Sequence, residues 1–190
     1  MIKEKDEIIK VAHGCITTIV LNNPSVDQVL ESLETCRIAH FACHGASDSL
    51  DPSNSGLILQ KSSNEPGEVF EQDRLTAHRI AELQLGHTQI AYLSACSTAE
   101  NKAARLTDEV IHVVSGFQVA GFPHVVGCLW PAGDSECVEV ARRFYSSVLR
   151  QSWLATGNGV ASALQEAVMA VRAEDMDMPL NWAQFVHYGA

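Results

Sequence analysis

The fold is decided by the stretch QIAYLSACST at residues 89–98. The apolar run in its first half predicts a short buried strand, and the small polar residues that follow Leu93 predict a turn. Cys96 therefore stands just past the end of a strand. In an open α/β sheet, ligands and reacting groups collect beyond the carboxyl ends of the strands. Cys96 is therefore a candidate reacting group.

Strand-like and helix-like segments alternate along the rest of the chain. The strand pattern is found at 16–21, 38–43, 56–60, 124–130 and 182–187, and the helix pattern at 4–12, 26–33, 77–83, 107–120, 137–148 and 160–171. This alternation predicts an α/β fold, with a mainly parallel sheet and helices on both of its faces. A length of 190 residues suits one domain, so the whole of 1–190 is predicted to form it.

Composition narrows the function classes. The formal net charge of −10 argues against a nucleic-acid binder, which needs a basic face. The sequence contains no run of about 18 apolar residues, which a membrane span would need. The charged start of the chain has no apolar signal core, so a cytoplasmic location is the default expectation. The six cysteines include no C-x-x-C pair and predict free thiols rather than zinc ligands. We expect neither a metal nor a cofactor.

His44 and Cys96 are the candidate catalytic pair. Both follow apolar strands directly, and parallel neighbouring strands would bring them to the same edge of the sheet. An imidazole there can take the proton of the thiol and make a nucleophilic thiolate. The backbone N–H groups of Gly45 and Cys96 can form an oxyanion hole. Each residue alone has an ordinary explanation, Cys96 as a small core residue and His44 as a loop histidine, whereas His40 is interpreted as a core histidine or a support for His44.

Four motifs in order resemble a known family, the CHAT domain, with the pattern of its fungal members. They are FACHG at 41–45, LSACSTA at 93–99, GCLW at 127–130 and WAQFV at 182–186. CHAT domains are caspase-like relatives of separase. The resemblance implies a caspase-like three-layer sandwich and a cysteine peptidase in which Cys96 is the nucleophile and His44 the base.

The resemblance also carries expectations about specificity and completeness. Asp134 stands where separase-like members hold a basic P1 side chain, although an aspartate there can equally cap a helix starting at Ser135. Asp48 and Asp51 follow His44 and are expected to be solvated loop residues. The family has a further strand, which would lie between 16–21 and 38–43, so the chain is expected to lack the family's first strand. A regulatory repeat or an upstream domain acting in trans is the partner that the family suggests.

Two hypotheses of different classes follow. The first is a cysteine endopeptidase that cleaves a peptide or protein substrate after a basic P1 residue, in a signalling or cell-death pathway. The alternative is a catalytically inactive caspase-like scaffold that acts through protein interactions. A redox-active thiol at Cys96 is a third and weaker interpretation.

Overall fold

The computed structural model describes residues 2–46, 48, 52–62, 70–94, 107–130, 133–150 and 159–189. The helices are α1 (Ile2–Ala12), α2 (Val26–Leu33), α3 (Ala77–Ala81), α4 (Thr107–Ala120), α5 (Asp134–Arg150) and α6 (Gly159–Glu174). The strands are β1 (Ile38–Phe41), β2 (His44–Ala46), β3 (Gly56–Ser62), β4 (Phe70–Thr76), β5 (Ile90–Leu93), β6 (His124–Cys128) and β7 (Phe185–Gly189).

The main sheet has the order β1-β5-β6-β7. β1, β5 and β6 are parallel, and β7 runs antiparallel to β6. β5 is buried at all of its positions, as its uninterrupted apolar sequence predicts for a strand covered on both faces. The predicted α/β class with a mainly parallel sheet is confirmed.

Helices cover both faces of this sheet. On one face, α2, α3 and α4 pack in a core cluster with Ala91 and Leu93 of β5. On the other face, α1, α5 and α6 pack in a second cluster with Ile90 and Tyr92. Successive residues of β5 enter opposite clusters because side chains alternate across a strand. The three predicted layers are therefore present. No helix among the described residues has the length and apolar character needed to cross a membrane.

Residues 16–21 do not form the predicted strand. They lie between α1 and α2 outside regular secondary structure, and Ile19 is 76% exposed. β-Branched residues favour a strand only where a neighbour supplies hydrogen bonds and packing. No described strand pairs with this segment, which joins two helices on opposite faces of the sheet. The prediction of a strand there was wrong.

A second, smaller sheet contains His44. β2, β3 and β4 form it in that order, with antiparallel pairing throughout. The sequence pattern did not predict β4, in which alternation is weak and the first three residues are exposed. β1 ends at Phe41, two residues earlier than predicted. His44 consequently begins β2 rather than a loop.

Two histidines join β6 to β7. Nδ1 of His124 lies 3.1 Å from Nε2 of His187, close enough to share a hydrogen bond. Burial lowers the pKa of both imidazoles, and the charge of a protonated His124 lowers the pKa of His187 further. The folded protein therefore takes up protons here at lower pH than the unfolded chain does.

Acidification is expected to lower the free energy of unfolding through this pair. As the pH falls below about 6.5, the histidines of the unfolded chain bind protons before those of the folded protein do. The free energy of unfolding therefore falls until the pH passes the lower pKa values of the folded state. Urea denaturation at about pH 7.5 and about pH 5.5 measures this loss of stability. Both pH values lie above the range in which most carboxylates titrate. His187→Phe should lose less than wild type, and His78→Phe, on an exposed face of α3, should match wild type. Equal losses in all three proteins would contradict this assignment.

Candidate active site

The register between β1 and β5 relates the two candidate catalytic residues. Ile38 pairs with Ile90 and Phe41 with Leu93, so paired residues are 52 positions apart. His44 and Cys96 are separated by the same 52 positions. His44 follows β1 by three residues, and Cys96 follows β5 by three residues. Cys96 itself lies outside the described residues.

His44 is exposed and is the first residue of β2. It is paired in register with Ile58 of β3, so the small sheet fixes the backbone at this point. A solvent-accessible imidazole held by a regular strand can exchange protons with a substrate or a thiol. The structure thus supports the availability of His44, although its partner in the proposed pair is not described.

The thiol beside His44 is a poor nucleophile. Cys43 packs against the core cluster that contains Leu93. Desolvation there, assisted by the negative charge of Glu4, raises the pKa of Cys43 to about 12. Cys128 and Cys137, on β6 and α5, are buried as well. Because the thiolate is the reactive form, Cys43 is inert near neutral pH.

Gly45 is half-buried in the middle of β2, opposite Leu57 of β3. Gly45 directly follows His44, as its predicted role in an oxyanion hole requires. That role stays a prediction. Asp48 is half-buried, and its backbone N–H donates to Oγ of Ser55 at 3.0 Å. It is therefore less exposed to solvent than the expected solvated loop residue. Asp51 lies outside the described residues.

Asp134 is the first residue of α5 and is exposed. The expected helix start at Ser135 is one residue late. The N–H of Cys137 donates to the carbonyl of Gly133, which places Gly133 rather than Asp134 at the capping position. The carboxylate of Asp134 still suits the positive end of the helix dipole. Its exposure beyond the carboxyl end of β6 leaves it accessible to a ligand at the same edge as β1 and β5.

Trp130 connects the end of β6 to the segment before β7. Its indole Nε1 donates to the carbonyl of Leu180 at 2.8 Å, and the N–H of Leu129 donates to the carbonyl of Gln184. The GCLW and WAQFV motifs therefore meet just beyond the carboxyl end of β6. Sequence reasoning named both motifs without predicting this contact.

A buried carboxylate near His40 was missed by sequence reasoning. Glu4 is 2% exposed, and its Oε1 lies 3.3 Å from Nε2 of His40. The available signal was spacing, because Glu4 stands four residues before Ile8 and eight before Ala12, on the apolar face of α1. Within the described part of the chain, no three histidine, cysteine or acidic side chains are grouped as metal ligands would be.

Comparison with known proteins agrees with the motifs and the fold. The family model that matches the chain is the CHAT domain, over residues 6–190. No curated protein gave a significant match. The matched region contains every strand of the described residues and both candidate catalytic positions. The chain belongs to the CHAT domain family, which is related to the caspase-like cysteine peptidases.

Proposed function

We propose that this protein is a cysteine endopeptidase with His44 and Cys96 as its catalytic pair. The observation that carries the proposal is the common offset of 52 residues in the β1–β5 register and between the two side chains. In-register parallel strands deliver residues of equal offset to the same level at the carboxyl edge of a sheet. Family membership supports the same chemistry.

The reaction begins when His44 takes the proton of the Cys96 thiol. The thiolate attacks the carbonyl carbon of the scissile peptide bond, and backbone N–H groups of Gly45 and Cys96 stabilise the negative oxygen that forms. Collapse of this intermediate breaks the C–N bond, and the imidazolium of His44 protonates the leaving amine. Water, deprotonated by His44, then hydrolyses the thioester and regenerates the thiol. The proposed substrate is a peptide or protein.

A peptidyl chloromethyl ketone with a basic P1 residue tests this proposal. We expect it to alkylate Cys96 stoichiometrically, with the adduct mapped by peptide mass spectrometry. Cys43→Ser is the matched control, because it removes a neighbouring thiol that burial keeps protonated and should be labelled at the wild-type rate. Labelling of other cysteines in preference to Cys96 would overturn the peptidase proposal and favour a non-catalytic interaction module.

Asp134 is proposed to bind the basic P1 side chain. Replacing Asp134 by alanine removes an exposed carboxylate at the active edge. We expect the KM for an arginine-P1 peptide to rise about 10-fold or more, since a hydrogen bond to a charged group contributes about 1.5–3 kcal/mol. The KM for a peptide with an uncharged P1 residue should hardly change.

Glu31→Ala is the control for Asp134→Ala. Glu31 is an exposed acid on α2, so its loss changes the net charge equally without touching the proposed subsite. If both variants raise the KM alike, net charge attracts the substrate and Asp134 has no specific role.

A further inference from the structure

A buried polar cluster surrounds His40 on β1. Nδ1 of His40 lies 3.1 Å from the hydroxyl oxygen of Tyr145 on α5, and Nε2 lies 3.3 Å from Oε1 of Glu4 on α1. The imidazole stacks on the ring of Tyr92 of β5, with centroids 4.9 Å apart and an angle of 22° between the planes. One side chain of β1 therefore contacts three other elements.

The partners of His40 are fixed in their own positions. Tyr92 is fully buried, and Tyr145 is 2% exposed. Burial raises the pKa of both phenols, so both keep their protons. Among the described residues, Oε1 of Glu4 has no partner other than His40. This contact links α1 to the imidazole, because separating the two would leave both buried atoms without a polar neighbour.

The elements that meet at His40 are the ones that lead to the proposed active site. β1 leads to His44, β5 leads to Cys96, and α5 begins with Asp134. His40 and Tyr92 are paired in register. Each stands four residues before its proposed catalytic residue. The stacked pair therefore lies at one level of the sheet, at the same distance in sequence from each of the two proposed catalytic positions.

β1 needs a restraint beyond its hydrogen bonds. It has four residues, and within the described chain it pairs with β5 alone. A short edge strand with one neighbour is held weakly by its ladder. Glu4 and Tyr145, which belong to helices on one face of the sheet, contact His40. These contacts restrain the rotation of β1 and its distance from those helices. No other side chain of β1 has a hydrogen bond or ion pair to the described residues.

We propose that His40 is a positioning residue, which with Glu4 and Tyr145 sets β1 against β5 and thereby holds the His44 imidazole beside the Cys96 thiol. This inference rests on the proposed peptidase function. Small displacements of reacting groups cost large factors in rate, about 100-fold for about 1 Å. Loss of the cluster should thus reduce kcat while leaving substrate binding intact.

Two variants test the proposal. Tyr145→Phe removes one oxygen from the cluster, and the double variant His40→Phe with Glu4→Leu replaces the polar pair by apolar side chains without leaving a buried charge unpaired. Phe41→Leu is the matched control. It removes buried volume from the neighbouring position of β1, which faces the opposite cluster and contacts Phe117.

We expect kcat for a basic-P1 peptide to fall about 10- to 100-fold in the double variant and less in Tyr145→Phe, with KM within about 2-fold of wild type. Phe41→Leu should change both constants by less than about 2-fold at a comparable loss of stability. A folded double variant with wild-type kcat, or a control that loses as much, would overturn the positioning role.

Alkylation of Cys96 by iodoacetamide at pH 7 separates this inference from the proposed function. Wild-type protein without Cys96-dependent cleavage would refute the peptidase proposal, yet the alkylation rate still reports whether an imidazole lies beside the thiol. We expect that rate to fall about 10-fold in the double variant, since the thiolate fraction depends on the neighbouring base. An unchanged rate would overturn the inference even if peptide cleavage is found.

Discussion

Replacement of Cys96 by alanine is expected to reduce peptide cleavage to the uncatalysed background. The alanine side chain cannot form the thioester through which the proposed reaction passes, and the remaining groups can only bind the substrate. Removing the nucleophile from a comparable catalytic set costs about 10⁶-fold in kcat. Single-turnover cleavage of a basic-P1 peptide by purified wild type and Cys96→Ala measures the loss.

The substrate should still bind the Cys96→Ala protein, because the substitution removes the sulfur atom alone. Binding without turnover separates the loss of the nucleophile from a loss of fold. Cys128→Ala is a useful comparison, because it removes a thiol from a buried strand position and should lower stability more than activity. Wild-type turnover by Cys96→Ala would contradict the proposed chemistry.

Replacement of His44 by alanine is expected to lower kcat by about 10²- to 10⁴-fold, the usual contribution of a general acid–base group. His44 is exposed at the start of β2, so the substitution removes little buried surface and should leave the unfolding midpoint near that of wild type. The loss should be greatest near neutral pH and smaller at alkaline pH, where the thiol ionises without help.

His78→Ala is the control for the His44 variant. The side chain of His78 is 68% exposed on α3 and faces Glu82, so its loss removes an exposed imidazole from a different element. Its kcat should equal that of wild type. A His44→Ala protein that also keeps wild-type kcat would remove the general base from the mechanism.

The parts of the fold that sequence predicts well are those that local chemistry determines. Ser25 and Gln28 form a capping box at the start of α2, as a serine three residues before a glutamine predicts. Thr76 caps α3 through a bond from the N–H of Arg79. The continuous apolar run of β5 predicts a strand buried on both faces, and the structure shows one. In each case the deciding partners are close in sequence.

The parts that sequence does not predict depend on distant partners. Ile16 to Leu21 have strand-forming side chains, yet the described chain gives them no strand to pair with. β4 has weak alternation and is recognised only through its register with β3. Whether a β-branched segment becomes a strand is decided by tertiary pairing, which a local pattern does not contain.

The candidate site follows the same division. The end of the strand before Cys96 can be predicted from the sequence, because the apolar run stops at Leu93. The strand before His44 is predicted to exist, although β1 ends at Phe41, two residues before the apolar run does. The buried contact between Glu4 and His40 joins α1 to β1 across 36 residues, and no spacing rule identifies that partner. The packing of α1 against the sheet brings the two side chains together.

The pH dependence of Cys96 alkylation tests most directly whether His44 and Cys96 form one site. In the wild type, we predict that the rate constant stays high well below the ordinary thiol pKa of about 8.5, because the imidazole of His44 stabilises the thiolate. In His44→Ala, the curve should move to a midpoint of about 8.5 or higher. Superimposable curves for the two proteins would contradict a Cys96–His44 pair.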